Sequence, residues 1–204
     1  MDLNSIKNLG VIGSILIVIA PILISITSLG LGLFPVLIGI IGWVLVLIAL
    51  KKLSNHYRDA SIFKNALYGV IVGVVGVVVT IAAMVARLLS VLSMKGIALT
   101  DVTSLDKHAL AFSSLTKPGV LWNPILALIV PIVVVFLIFS IVSAIFFRRS
   151  LRIISTKTRV DLFDTAGLVM LIGACLTIIM VGVFVIWVAW MLVAVGFFLI
   201  KTKK

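Results

Sequence analysis

Glutamate is absent from these 204 residues, cysteine occurs once, and charged side chains make up only 11% of the chain. Each scarcity excludes something. One thiol, Cys175, allows no disulfide within the chain and no multi-cysteine metal site; set in an apolar run, it reads as a small buried hydrophobe. Every acidic side chain is an aspartate, and none of them, nor any histidine or asparagine, lies deep in an apolar run. Ionisable groups are costly inside a membrane and usually mark function there. Their absence argues against a proton-coupled carrier, a channel with charged rings, and an intramembrane hydrolase working by acid-base groups. The motifs HExxH, CxxC and GxSxG are missing, as is a phosphate-cradling loop, so no metal, cofactor or catalytic residue is expected.

What is present is apolar surface: 63% of residues are hydrophobic and the mean hydropathy is +1.42, against about 45–50% apolar residues in an ordinary soluble domain. So much apolar surface needs a bilayer. The net charge of +11 arises from 17 Lys and Arg, parcelled into the ends of apolar runs. That distribution fits topology and an anionic membrane surface rather than nucleic acid.

A helix crosses about 30 Å of hydrocarbon in roughly 20 residues. The stretch Leu9–Leu50 therefore holds two spans, with a break over 27–32 and Pro35 tolerated in the first turn of the second. Two more spans lie on either side of a polar outer loop, 94–121. The uncharged stretch Ala166–Ile200 fits two short helices turning near Val181 and Gly182. The reading is an all-α bundle forming one membrane domain, 1–204, with spans at about 9–28, 32–50, 66–90, 122–147, 166–181 and 183–200. Tail charge decides the count: six spans place Lys201, Lys203 and Lys204 with the other basic segments, and the positive-inside rule then puts both termini in the cytoplasm of a cell-membrane protein.

The odd-numbered spans start alike, at Ile6-Lys7-Asn8-Leu9, Phe63-Lys64-Asn65-Ala66 and Leu162-Phe163-Asp164-Thr165-Ala166, as three parallel helical hairpins would. Small residues mark packing faces, because helices in lipid associate through close backbone approach. Gly69, Gly73, Gly76, Thr80 and Ala83 form one stripe; Gly32, Pro35, Gly39, Gly42, Val46 and Ala49 form another. These two stripes are expected to meet, in one chain or between copies.

Arg87 continues the first stripe and should lie near the outer interface. It either snorkels to phosphate or faces between helices, where Asp101, Asp106 or an anionic lipid would meet it. The outer loop with Asp101, Asp106 and His108 has no ligand-pair spacing, and Trp122 reads as an interfacial anchor. On the inner side, 51–65 reads as a short interfacial helix and turn, with Asp59 capping the next span and His56 in the same segment. The basic group Arg148, Arg149 and Arg152 should attract anionic lipid headgroups or an acidic partner.

The segments Ile48-Ala49-Leu50-Lys51-Lys52-Leu53-Ser54, Tyr57 and Ile62-Phe63-Lys64-Asn65-Ala66-Leu67-Tyr68-Gly69, with Gly173, Gly182, Trp187, Trp190, Phe197 and Phe198 near the end, resemble a largely archaeal membrane family, domain of unknown function 996. The resemblance implies an archaeal-type cell membrane and brings no activity or site; the loop 94–121 lies outside it. Two functional readings follow. One is a non-catalytic protein that packs with itself or partner subunits, or organises lipid. The other is a small carrier or channel for neutral or hydrophobic solutes, which requires a polar cavity or broken helices.

Overall fold

The computed structural model describes residues 3–26, 34–94, 122–179 and 181–200. Among them there are six helices and no strand: α1 Leu3–Ile26, α2 Phe34–His56, α3 Ala60–Met94, α4 Trp122–Thr158, α5 Leu162–Leu176 and α6 Val181–Leu199, with a 3-10 turn, Thr177–Ile179, between the last two. All six are long and apolar enough to cross a membrane, α5 when counted with its 3-10 turn. Pro35 sits at the second residue of α2, where it interrupts no hydrogen bond. The break near 181 falls where the uncharged stretch requires it. The expected separate interfacial helix at 51–65 does not exist, because α2 runs on to His56 and α3 starts at Ala60.

The chain divides into two compact units, Met1–Gly73 with Ser140–Lys204, and Val74–Phe139. In the first, the even-numbered helices bury the same pattern three times. Val46, Ala49, Leu50 and Leu53 of α2, Phe147, Ser150, Leu151 and Ile154 of α4, and Val193, Gly196, Phe197 and Ile200 at the end of α6 are all buried at spacings of three, one and three. The second position of each set is small: Ala, Ser or Gly. The odd helices repeat too, with Ile6 and Gly10, Ile62 and Ala66, and Phe163 and Gly167 buried one turn apart. Burial thus supports three equivalent hairpins, in a register that matches Ile6 to Ile62 rather than to Phe63.

Each small-residue stripe is filled by its own hairpin, which corrects the expectation that the two would meet. A Cβ on Gly42 would lie 2.9 Å from the Gly13 carbonyl oxygen of α1, and one on Gly39 would touch Ala20 at 3.4 Å. Gly69 and Gly73 face Ser143 and Phe147 of α4 instead, and the Ser143 hydroxyl donates to the Gly69 carbonyl at 2.8 Å. Heptad-like spacing defines a face of a helix, not which helix fills it. Gly173 and Gly182 bring α5 and α6 together in the same way.

In the second unit, Gly76 of α3 accommodates Phe139 of α4, and the Thr80 hydroxyl returns to the Gly76 carbonyl at 2.7 Å. Most of the large apolar side chains described there, such as Val74, Val78, Ile81 and Met84, are exposed, as on a surface solvated by acyl chains.

Candidate functional site

A solute path through the first unit would run between its three hairpins. Trp43 of α2, Phe147 of α4 and Trp190 of α6 meet edge to face, with ring centroids 5.5 Å (Trp43–Phe147), 4.8 Å (Trp43–Trp190) and 6.1 Å (Phe147–Trp190) apart. One ring comes from each hairpin. In the repeat, Trp43 and Trp190 correspond to Ala144, and Phe147, one turn further along α4, fills the space that this alanine leaves. Such contacts add about 0.5–1.5 kcal/mol per pair beyond the burial of area.

Toward the charged end, a void of about 10 Å³ remains among Val46, Leu50, Phe147, Leu151, Met170, Trp190, Val193 and Phe197. The surface that these side chains present to it is wholly apolar. The space would hold one water at most and offers it no hydrogen-bond partner from those side chains. The polar groups nearby are engaged in joining helices. Ser150, fully buried, donates to the Ile62 carbonyl of α3 at 2.8 Å, and the Trp187 indole N–H donates to the Val18 carbonyl of α1 at 2.8 Å. Pro21 of the same helix has no N–H to give the Ile17 carbonyl, one residue before Val18.

The charge of this unit gathers at one end. Lys7 lies over the Phe198 ring at 4.6 Å, placing the start of α1 beside the end of α6. Lys51 lies over Phe63 at 5.8 Å, and Lys157 approaches Asp59 at 3.4 Å, tying the 57–59 turn to the end of α4. Arg148 packs its backbone against Gly167 of α5, while Arg149 and Arg152 project outward and are exposed. Lys52, Arg58, Lys64 and Arg159 complete the cluster. Opposing it among the described residues of this unit are Asp59, Asp161 and Asp164. Asp164 lies in the first turn of α5, where the helix dipole favours a carboxylate; its Oδ1 is buried without a hydrogen-bond partner.

Both turns at this end use an arginine in the left-handed region, Arg58 at φ 51° and Arg159 at φ 56°. Around Arg58 the hydrogen bonds are those of a Schellman stop: Asp59 N–H to the Ser54 carbonyl at 3.0 Å and Arg58 N–H to the Asn55 carbonyl at 3.3 Å. The Ser54 hydroxyl adds a bond to the Asp59 carbonyl at 2.8 Å. Asp59 then caps α3 as expected, accepting the Ser61 N–H at 3.1 Å. That bond, together with the Ser61 hydroxyl and Lys157, holds the Asp59 carboxyl below the ordinary carboxylate range, against a smaller upward push from desolvation.

Arg87, on the second unit, is exposed, which agrees with the snorkelling alternative, and the partners considered for it, Asp101 and Asp106, lie outside the described residues, as do His108 and the side chain of Trp122. One expectation changes. Cys175 is exposed on α5, not buried. His56 is also exposed, its ring edge-on to Tyr57 at 5.1 Å. Among the described residues no three His, Cys, Asp or Glu side chains gather as a metal site would need. The aromatic cluster escaped the sequence reading, although its trace is present in the common spacing of buried positions on α2, α4 and α6.

Comparison with known proteins gives a consistent result. The profile of a family described as a protein of unknown function (DUF996) matches residues 38–191. An uncharacterised protein of Methanocaldococcus jannaschii is 32% identical over 198 residues, covering 97% of this chain and 93% of that protein. No solved structure matches.

Proposed function

The chain belongs to the DUF996 family of proteins of unknown function, and from that premise we propose that it is a non-catalytic component of the cell membrane that organises anionic lipid around a closed helical core. Both termini and the turns at 57–59 and 159–161 face the cytoplasm in this reading, by the excess of Lys and Arg at that end. The observation that carries it is the contrast within the first unit: an apolar centre plugged by Trp43, Phe147 and Trp190, and a basic end on which Arg149 and Arg152 are exposed. Each basic group near an anionic leaflet is worth about 1 kcal/mol of attraction. Arginine suits the task because its guanidinium fork matches phosphate geometry.

The carrier or channel reading gains no support from this packing, since the lining of the void is apolar and the void is small. Binding of a second copy or a partner subunit has fewer grounds than sequence alone offers, because the glycine faces that suggested it are filled by helices of the same chain.

The test is native mass spectrometry of the protein released from mild detergent after incubation with equal phosphatidylglycerol and phosphatidylcholine. The wild type should retain the anionic lipid preferentially, and the Arg148→Gln, Arg149→Gln, Arg152→Gln triple variant should retain less. Equal retention of both lipids, or a triple variant identical to wild type, refutes the reading.

A further inference from the structure

The three hairpins of the first unit meet along seams, and the repeat lets these seams be compared position by position. On the odd helices Lys7, Phe63 and Asp164 are equivalent, each following a buried residue, Ile6, Ile62 or Phe163. On the even helices Lys51, Arg152 and Phe198 are equivalent, each following Leu50, Leu151 or Phe197, also buried. In the seam of α6 with α1 this pair of positions holds Phe198 and Lys7, with the ammonium 4.6 Å from the ring centroid. In the seam of α2 with α3 it holds Lys51 and Phe63, at 5.8 Å. Each seam carries one cation here, and in two of them a ring of the same chain covers it.

The seam of α4 with α5 breaks the pattern. Its cation is Arg152, and Asp164 takes the place of the ring. One turn deeper, Gly167 rests on Arg148, so the two helices are in contact. Yet the opposite charges are not joined. Among the described residues the one ion pair is Lys157 with Asp59. Arg152 is exposed, and Asp164 is half-buried with its Oδ1 enclosed and without a donor. An enclosed carboxylate oxygen without a donor is costly, which calls for a partner from outside the chain. Only Oδ1 is enclosed, and the terminal torsion of an aspartate is soft, so a donor arriving from the headgroup side can meet either oxygen.

A phosphate alone would suit Arg152 and be repelled by Asp164; a simple cation would do the reverse. A headgroup with both charges on a short carbon link satisfies the two together. We propose that the α4–α5 seam is a site for a phospholipid whose headgroup carries a primary ammonium, with the phosphate on Arg152 and the ammonium on Asp164. This deepens the lipid-organising reading and rests on its placing of the basic end among headgroups, but it concerns the headgroup's ammonium rather than its net charge.

The experiment is native mass spectrometry of the full chain, incubated in mild detergent with equal phosphatidylethanolamine and phosphatidylcholine of the same acyl chains. Both lipids are neutral, and they differ in whether the nitrogen carries hydrogens. The wild type should retain phosphatidylethanolamine over phosphatidylcholine by roughly two- to five-fold, the range of a partly exposed ion pair. Asp164→Asn should bring the ratio close to unity. Arg152→Gln loses the contact to the phosphate that both lipids share, so total retention should fall while the preference stays. Asp161→Asn removes the exposed carboxylate at the N-cap of α5, which makes no side-chain capping bond, and should behave as wild type. A wild type without preference overturns the proposal, as does a preference that survives in Asp164→Asn or is lost equally in Asp161→Asn. Retention unchanged in Arg152→Gln also overturns it. Melting in lipid-free detergent separates the internal alternative: if Asp164→Asn and Arg152→Gln each lower the melting temperature and the double variant loses no more than either, the two side chains pair with each other and the site is closed, which again overturns it. The anionic reading is scored on phosphatidylglycerol against phosphatidylcholine, so the two fail separately.

Discussion

Replacing Gly42 with alanine tests the packing of the first hairpin at one of its two closest approaches. The new Cβ would lie 2.9 Å from the Gly13 carbonyl oxygen and 3.0 Å from both the amide nitrogen and Cγ1 of Ile17. Two of these atoms are backbone, so no side-chain rotation relieves the contact, and α1 must move by about half an ångström to restore ordinary van der Waals distances. Overpacking of this kind costs about 1–3 kcal/mol. Alanine's better helix propensity returns less than its usual 0.8–1.0 kcal/mol or so, because transmembrane helices are already formed before they pack. The net loss should be about 1–2 kcal/mol, or a fall of roughly 2–8 °C in melting temperature for a chain of this size. The control is Gly39→Ala on the same helix, whose Cβ meets Ala20 at an ordinary 3.4 Å; it should melt within a degree or two of wild type. Both are read by thermal unfolding in mild detergent with size-exclusion detection. If Gly42→Ala melts like wild type, or Gly39→Ala is the more damaging of the two, the assigned α1–α2 contact is wrong.

Gly182→Ala should be the most damaging alanine among the glycines described, because its Cβ would fall onto the Gly173 carbonyl and the Thr177 amide; failure to purify as a monodisperse species is the expected result, and a normal melting curve contradicts it. Ser150→Ala removes the bond from α4 to the Ile62 carbonyl and should cost about 0.5–1.5 kcal/mol, measured in the same melt. The depressed Asp59 carboxyl stabilises the 54–61 turn at any pH above the ordinary carboxylate range, and that contribution is lost as pH falls through its lowered value. Asp59→Asn should therefore reduce the loss of melting temperature seen between neutral and acid pH, and an unchanged acid profile would remove the carboxylate from that role.

The number of helices was legible because charge punctuates the apolar runs: without Lys201, Lys203 and Lys204 nothing would separate one crossing from two over Ala166–Ile200. Stripe faces were legible as well, since Gly69, Gly73 and Gly42 do lie on contact faces. Their partners were not, because spacing along one helix carries no record of its neighbour. The continuation of α2 to His56 was missed because its stop is built by Arg58 in a conformation usually taken by glycine, and arginine gives no such signal. Trp43 and Trp190 were hidden for another reason. In helices that are apolar all round, a core position and a lipid-facing one use the same residue types, so Cys175 was expected inside and the aromatic plug went unseen.

The claim on which the account most depends is that the centre of the first unit is packed shut. It is tested by stopped-flow light scattering on vesicles carrying the protein, with glycerol and larger neutral polyols as the permeating solutes. The account predicts shrinkage and reswelling rates equal to those of protein-free vesicles at every protein density. A permeation rate that rises in proportion to the protein and changes with Trp190→Ala would contradict it.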